Sequence, residues 1–317
     1  MNILCIYHKA DQDGLMSAGI VMKYYKESLN NFHIINLDKE NVFPKDPNHN
    51  YLFFQGFQYG ETLNLDLSYF NKILMVDISL SMSTMLKVLK MKENGQIDEF
   101  IWIDHHERTI DQLKTLAEAN ELSMPEGNRD ITISAAENIW KYFYLTKIPF
   151  IVENIGKYDT WRHFGTDEQD KIFEWEYGCR SFILDYEDAY NILKEYIENP
   201  TRIRNQIQNT GKKIYEYLIG QAKSKMKRTF PMNIGGLKFL VFNGDSFDPS
   251  HFKIDIFNMG YDAFASFHLT KENNWRFSLR SKYADVQKVA SMYGGGGHKN
   301  AASFRLDFNK LSIFLNK

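Results

Sequence analysis

The sequence predicts an α/β protein with a doubly wound, mainly parallel sheet domain, a linker helix and a smaller α/β C-terminal domain. Three observations carry this. Short apolar runs lead into polar turns and then into helix-spaced segments, and the unit repeats, as in parallel sheets covered by helices on both faces. Several apolar runs end on an acid or an imidazole. From Phe230 onward the pattern changes to closely spaced strand-like runs with glycine turns. The chain has 317 residues, enough for two domains of ordinary size. The expected divisions are 1–185, a helical linker 186–229, and 230–317.

Composition bounds the function. The formal net charge is −2, so no global field recruits nucleic acid. A nucleic-acid role must rest on local patches or on a metal. The two cysteines, Cys5 and Cys179, form no CxxC, which argues for a reducing compartment and against Cys-bound zinc. Residues 1–7 form a short apolar run without a basic n-region, and charge follows at His8 and Lys9. This reads as a first strand and not as a signal peptide. No segment is long and apolar enough to span a bilayer. The expectation is a cytoplasmic protein with no membrane contact.

The elements follow in order. Residues 3–7 are continuously apolar, as in a strand buried on both faces. His8, Asp11 and Asp13 lie in the next turn, Gly14 permits tight geometry, and 15–26 has helical spacing. Helix capping needs only one of these acids. Residues 32–37 and 51–57 read as strands, and 73–76 as a buried strand with Asp77 at its carboxyl end. A helix over 81–92 has Ser79 or Ser81 as its cap. Residues 100–103 form a strand that runs into Asp104, His105 and His106, and a helix follows over 107–120. In such sheets ligands bind beyond the carboxyl ends of the strands. Three strands deliver seven acids or imidazoles to one edge, with only Lys9 to neutralise them. Further helices are expected at 133–144 and 151–157, the latter ending near Asp159. Alone, Asp159 would pair with Arg162; beside three acidic strand ends it reads as a fourth metal carboxylate. The helices 185–199 and 201–227 follow, with Pro200 at the start of the second.

In the second domain a hairpin turns at Gly235 and Gly236, strands follow at 262–269 and 275–280, and a helix at 285–293. Four glycines, Gly294, Gly295, Gly296 and Gly297, precede His298. Consecutive glycines suit a backbone that comes close to a ligand, and a helix following them would offer its N-terminus to an anion.

In that order and spread, Asp11-Gln12-Asp13-Gly14, Asp77, Asp104-His105-His106, Asp159, Ser278-Leu279-Arg280-Ser281 and the 294–298 segment resemble the DHH phosphoesterase superfamily with its DHH-associated C-terminal domain, in its nanoRNase or oligoribonuclease-like form. The resemblance covers most of the chain. It implies two divalent metal ions, most readily Mn²⁺. One would take His8, Asp11 and Asp77, and the other Asp13, Asp77, His105 and Asp159, with Asp77 bridging. It places His106 on the substrate phosphate with Asp104 in support. Arg280, Ser281, Gly295, Gly296, Gly297 and His298 would bind the far end of the substrate. Two features depart from the family pattern. The interval from His8 to Asp11 is shorter than in many members, and Ser303 stands where members often carry glycine.

The implied function is a two-metal phosphodiesterase acting on short RNA or related nucleotides. A cyclic (di)nucleotide phosphodiesterase is the alternative enzyme. A non-catalytic nucleotide-binding protein on the same fold is the alternative of another class, and an intact ligand set argues against it. A homodimer is an open assembly state, and no protein partner is indicated.

Overall fold

In the computed structural model, the structure describes residues 1–28, 32–40, 42–44, 46 and 48–315. The chain divides into two compact units, Met1–Ile214 and Tyr215–Lys317.

The first unit runs β1 (Asn2–His8), α1 (Gln12–Ser28), β2 (Phe32–Asn36), β3 (Asn50–Phe57), β4 (Lys72–Val76), α2 (Met82–Glu93), β5 (Glu99–Ile103), α3 (Glu107–Ala119), α4 (Ala135–Phe143), α5 (Phe150–Asp159), α6 (Gln169–Phe182) and α7 (Tyr186–Glu198). The long α8 (Pro200–Met226) then runs past the boundary. The sheet order is β2-β3-β1-β4-β5, and every pair is parallel. The period of two divides each strand between two cores. Cys5, Leu74, Val76 and Ile101 pack under α1, α4 and α7. Leu4, Ile6, Met75 and Trp102 pack under α2 and α3. Both faces are therefore covered, which explains why the strands are apolar throughout. Each fully buried aliphatic or aromatic side chain contributes about 1.5–3 kcal/mol.

Topology sets the site. The chain leaves β1 toward one edge, returns through β3 beside it, and crosses to β4 on its other side. Neighbouring β1 and β4 thus feed connections in opposite directions, and a crevice opens at their carboxyl ends. His8 closes β1 and Asp77 follows β4.

Two differences from the sequence expectation lie in this unit. Helix α6 is an addition to the elements expected. The stretch expected as a linker is helical over most of its length, but Leu193 of α7 and Ile203 and Ile207 of α8 are buried in the first unit's core.

The second unit contains β6 (Phe230–Ile234), β7 (Leu237–Asn243), β8 (Ala263–Leu269), β9 (Asn274–Arg280), α9 (Val286–Met292), β10 (Gly296–His298), β11 (Ala301–Asp307) and α10 (Leu311–Leu315). Its sheet order is β10-β11-β9-β8-β7-β6. The β6–β7 hairpin turns on Gly235 (φ +57) and Gly236 (φ +83), the left-handed pair such a two-residue turn requires. The glycine run corrects the sequence reading. No helix follows it; β10 pairs antiparallel with β11, Gly296 opposite Ser303 and Gly297 opposite Ala302. A Cβ on Gly295 would clash with the Ser303 carbonyl, and one on Gly297 would lie 2.5 Å from the Ala301 carbonyl oxygen. These two glycines serve close strand approach, whereas Gly296 faces open space. Among the described residues no helix is long and apolar enough to cross a membrane.

Candidate metal centre

Each strand end supplies part of one cluster. After β1 the chain turns directly into α1, and Gly14 makes this turn possible because a Cβ there would clash with the His8 carbonyl. Asp11 accepts the Gly14 N–H with Oδ1 at 3.0 Å. Its other oxygen lies 3.0 Å from His8 Nδ1. Capping and site roles thus fall on the two oxygens of one carboxylate. Asp13, in the first turn of α1, is buried and accepts the N–H groups of Ala135 (2.9 Å) and Ala136 (3.2 Å). Those are the first residues of α4, whose positive end favours a carboxylate. Ser134 and Glu137 cap the same helix end.

Asp77 lies between the two sides of the cluster. Its Oδ2 is 3.5 Å from His8 Nδ1 and its Oδ1 is 3.4 Å from His105 Nε2. Its backbone is left-handed, φ +57, a conformation seldom adopted outside glycine and found at functional sites. His105 Nε2 also lies 3.2 Å from Asp159 Oδ2 and 4.0 Å from Asp13 Oδ2. Asp159 is the last residue of α5. Arg162 does not pair with it; that guanidinium contacts Glu137 and donates to Thr160 Oγ1 at 2.8 Å. Asp104 is fully buried. Its Oδ1 accepts the His105 N–H (2.7 Å), the His106 N–H (3.2 Å) and the His106 ring at Nδ1 (2.6 Å).

Burial raises the Asp77 carboxyl well above its ordinary range, and Asp13 adds to it. Burial, then the charges of Asp13 and Asp77, push Asp159 up to about 9. Burial raises Asp13 as well. Burial works against a charged His8, but Asp11 and Asp77 outweigh it and push the imidazole up to about 10. The same balance raises His106, where the Asp104 carboxylate outweighs burial. Three atoms, His8 Nδ1, Asp77 Oδ1 and Asp159 Oδ2, are buried and make no hydrogen bond despite this crowding. Converging carboxylates and imidazoles without hydrogen bonds are unfavourable alone and are relieved by a cation. The sets His8–Asp11–Asp77 and Asp13–His105–Asp159 each bring ligand atoms within 4.8 Å of one another. Their oxygen and imidazole donors fit divalent metal ions.

The residues expected to hold substrate in the second unit fare differently. Arg280 ends β9 and donates from Nη1 to the carbonyl of its neighbour Leu279, with the rest of its guanidinium uncommitted among the described residues. Ser281 is hydrogen-bonded within its own unit. Its hydroxyl donates to the Asp262 carbonyl (2.7 Å) and accepts the N–H groups of Tyr283 (3.2 Å) and Ala284 (2.9 Å), which exhausts its donor and both lone pairs. Gly295, Gly296 and Gly297 stand in the hairpin described above. The side chain of His298 lies outside the described part of the chain.

Sequence reasoning missed Tyr59. Its ring centroid is 5.9 Å from that of His8 and 6.0 Å from that of His106. Burial, then the Asp104 charge, push its hydroxyl up to about 12. Its position just beyond the end of β3, a fourth strand end, is the signal that finds it.

The constellation so placed brings together the first-unit residues on which the sequence resembles the DHH phosphoesterases. No protein-family model matches the chain. It is 23% identical to an uncharacterized protein, R106, of Acanthamoeba polyphaga mimivirus, over 94% of this chain, and it spans 66% of that protein's length. Among solved structures it is similar to the pGpG-specific phosphodiesterase PggH of Vibrio cholerae, with TM-score 0.46 and 11% identity over 99% of this chain and 94% of that one. It is also similar to RecJ of Thermus thermophilus in complex with Mg²⁺, with TM-score 0.40 and 12% identity over 99% of this chain and 48% of that one.

Proposed function

We propose that the chain is a phosphodiesterase that holds two divalent metal ions and hydrolyses short oligoribonucleotides or related nucleotides. The observation that carries the reading is the Asp77 carboxylate, with one oxygen 3.5 Å from His8 and the other 3.4 Å from His105. His8, Asp11 and Asp77 would hold one ion, and Asp13, Asp77, His105 and Asp159 the other. The mixture of carboxylates and imidazoles suits Mn²⁺. Bound there, the pair would supply Lewis acidity toward a phosphoryl oxygen and a water of lowered pKa.

The chain's own contribution is positioning. The Asp104 carboxylate accepts from His106 Nδ1 and favours the protonated ring, in which Nε2–H as well would be free to donate to a phosphate oxygen. Arg280 and the backbone around Gly296 are the groups of the second unit suited to hold the remainder of the substrate, because a guanidinium and N–H groups recognise anions.

The test is a hydrolysis assay of purified protein with Mn²⁺ on dinucleotides, longer RNA and DNA, pAp and cyclic dinucleotides. Dinucleotides are expected to be cleaved fastest. Preference for the cyclic compounds would make the protein a cyclic dinucleotide phosphodiesterase. Nucleotide binding without cleavage of any substrate would make it a non-catalytic binder.

A further inference from the structure

Tyr59 stands beside the metal centre without belonging to either set of ligands. Its ring centroid is 5.9 Å from that of His8, with 57° between the planes, and 6.0 Å from that of His106, with 82° between the planes. Neither imidazole lies parallel to the phenol ring, and the residue is 49% exposed. A single exposed aromatic is ordinary on a protein surface. Two things set this one apart: it touches the ring expected to meet the substrate phosphate, and it is held in place.

The turn that carries Tyr59 is closed on both sides. The Glu61 N–H donates to the Gln58 carbonyl at 3.0 Å, and the Gln58 N–H donates to Glu61 Oε2 at 3.0 Å. Gly60, at φ +94, supplies the left-handed residue between them. Glu61 Oε1 pairs with Lys9 Nζ at 2.8 Å, and the Lys9 N–H donates to the Phe57 carbonyl at 3.2 Å. Lys9 directly follows His8. At the other end of the side chain, the backbone and side chain of Ser79 both act on the Tyr59 hydroxyl, and Ser79 is buried two residues beyond Asp77. The ring is therefore fixed by the same two strand ends that carry His8 and Asp77. A partner that lies on it meets a surface already ordered, so little freedom is lost on binding.

We propose that Tyr59 is the stacking platform for a nucleobase next to the scissile phosphate, so that the centre favours nucleoside esters over phosphodiesters that lack a base at that place. The inference rests on the phosphodiesterase reading for the position of the phosphate, beside His106. A nucleobase is one sugar removed from its phosphate, and Tyr59 is the exposed aromatic in contact with His106. Stacking on a phenol ring uses the π-face that every base has, so it selects for a base without selecting among bases.

The experiment measures hydrolysis, with Mn²⁺, of a dinucleotide and of its two analogues in which one base or the other is replaced by hydrogen. The unaltered protein, Tyr59→Leu and Tyr59→Phe are compared, and adenosine 5′-monophosphate and ribose 5-phosphate are titrated calorimetrically into each. The unaltered protein should disfavour one of the two abasic analogues by roughly five- to a hundredfold in kcat/KM, mostly through KM. Tyr59→Leu removes the ring and should abolish that difference, whereas Tyr59→Phe keeps the ring and should keep the difference. Absence of the difference in the unaltered protein, or its persistence in Tyr59→Leu, would overturn the proposal. So would an equal fall in kcat on all three substrates in Tyr59→Leu, which would make the ring a support for His106. If the unaltered protein cleaves none of the three, the phosphodiesterase reading fails by itself, and the titrations decide Tyr59. Tighter binding of the adenosine monophosphate than of the ribose phosphate, lost in Tyr59→Leu and kept in Tyr59→Phe, upholds the platform; any other pattern overturns it.

Discussion

His105 and His106 are adjacent in sequence and differ in every contact that matters. His105 points Nε2 at three carboxylates, the nearest being Asp159 at 3.2 Å. His106 turns Nδ1 to Asp104, and one of its nitrogens lies within 4.8 Å of ligand atoms of Asp77, Asp104 and His105. The two should therefore separate experimentally. His105→Ala should weaken retention of the ion on its side, measured as bound metal after dialysis. His106→Ala should keep its metal and lose roughly a hundred- to a thousandfold in turnover, the range for a lost electrostatic contact to a developing charge. Equal loss of metal from both variants would assign the two rings the same role. That both imidazoles stand at the end of β5 was legible in the sequence, because a position after a strand can be placed by counting; their separate roles came only from the resemblance. The hydrogen bonds of Ser281 were not legible, because a hydroxyl bonded to three backbone groups looks the same in sequence as any other serine.

Among the elements, the tight β1–α1 turn is the part of the site most sensitive to volume. Gly14→Ala forces a methyl group into the His8 carbonyl, and overpacking of this kind costs about 1–3 kcal/mol. The denaturation midpoint should fall, and metal affinity with it, because Asp11 and Asp13 flank the displaced backbone. Unchanged stability on urea titration would mean that the turn relaxes freely and does not position the ligands. The parallel strands were readable because burial on both faces makes them continuous apolar runs. Helix α6 was not, although Ile172, Trp175 and Cys179 recur at helical spacing. Glu176 interrupts the buried face with a charge, and Gly178 weakens the helical signal; no Cβ fits there because it would clash with the Ile207 carbonyl. The glycine run is ambiguous for a related reason. Close strand approach and close ligand approach both select glycine, and only the Ser303 and Ala301 carbonyls beside Gly295 and Gly297 tell them apart.

At the level of the whole molecule, a cluster of buried carboxylates lowers stability until cations arrive. Mn²⁺ at about a hundred times its dissociation constant should add about 2.7 kcal/mol, a rise in Tm of roughly 4 °C for a protein of this size, reversed by chelation. A Tm indifferent to Mn²⁺ would mean that the cluster binds no ion tightly. The second unit should govern the choice of substrate. Arg280→Ala is expected to raise KM for a dinucleotide, with a loss at least tenfold larger than on bis(p-nitrophenyl) phosphate, and equal losses would place Arg280 in the chemistry or the fold. The account depends most on Asp77 joining the two sides of the centre. Asn is the substitution that isolates its charge, since Asn tolerates the left-handed backbone at φ +57 and keeps the side chain's shape. The deciding measurement is dinucleotide hydrolysis by Asp77→Asn in saturating Mn²⁺, with folding verified by circular dichroism. The account predicts turnover reduced by at least roughly a thousandfold, as for loss of a metal-bound nucleophile and Lewis acid together. Substantial Mn²⁺-dependent turnover in the folded variant would contradict it.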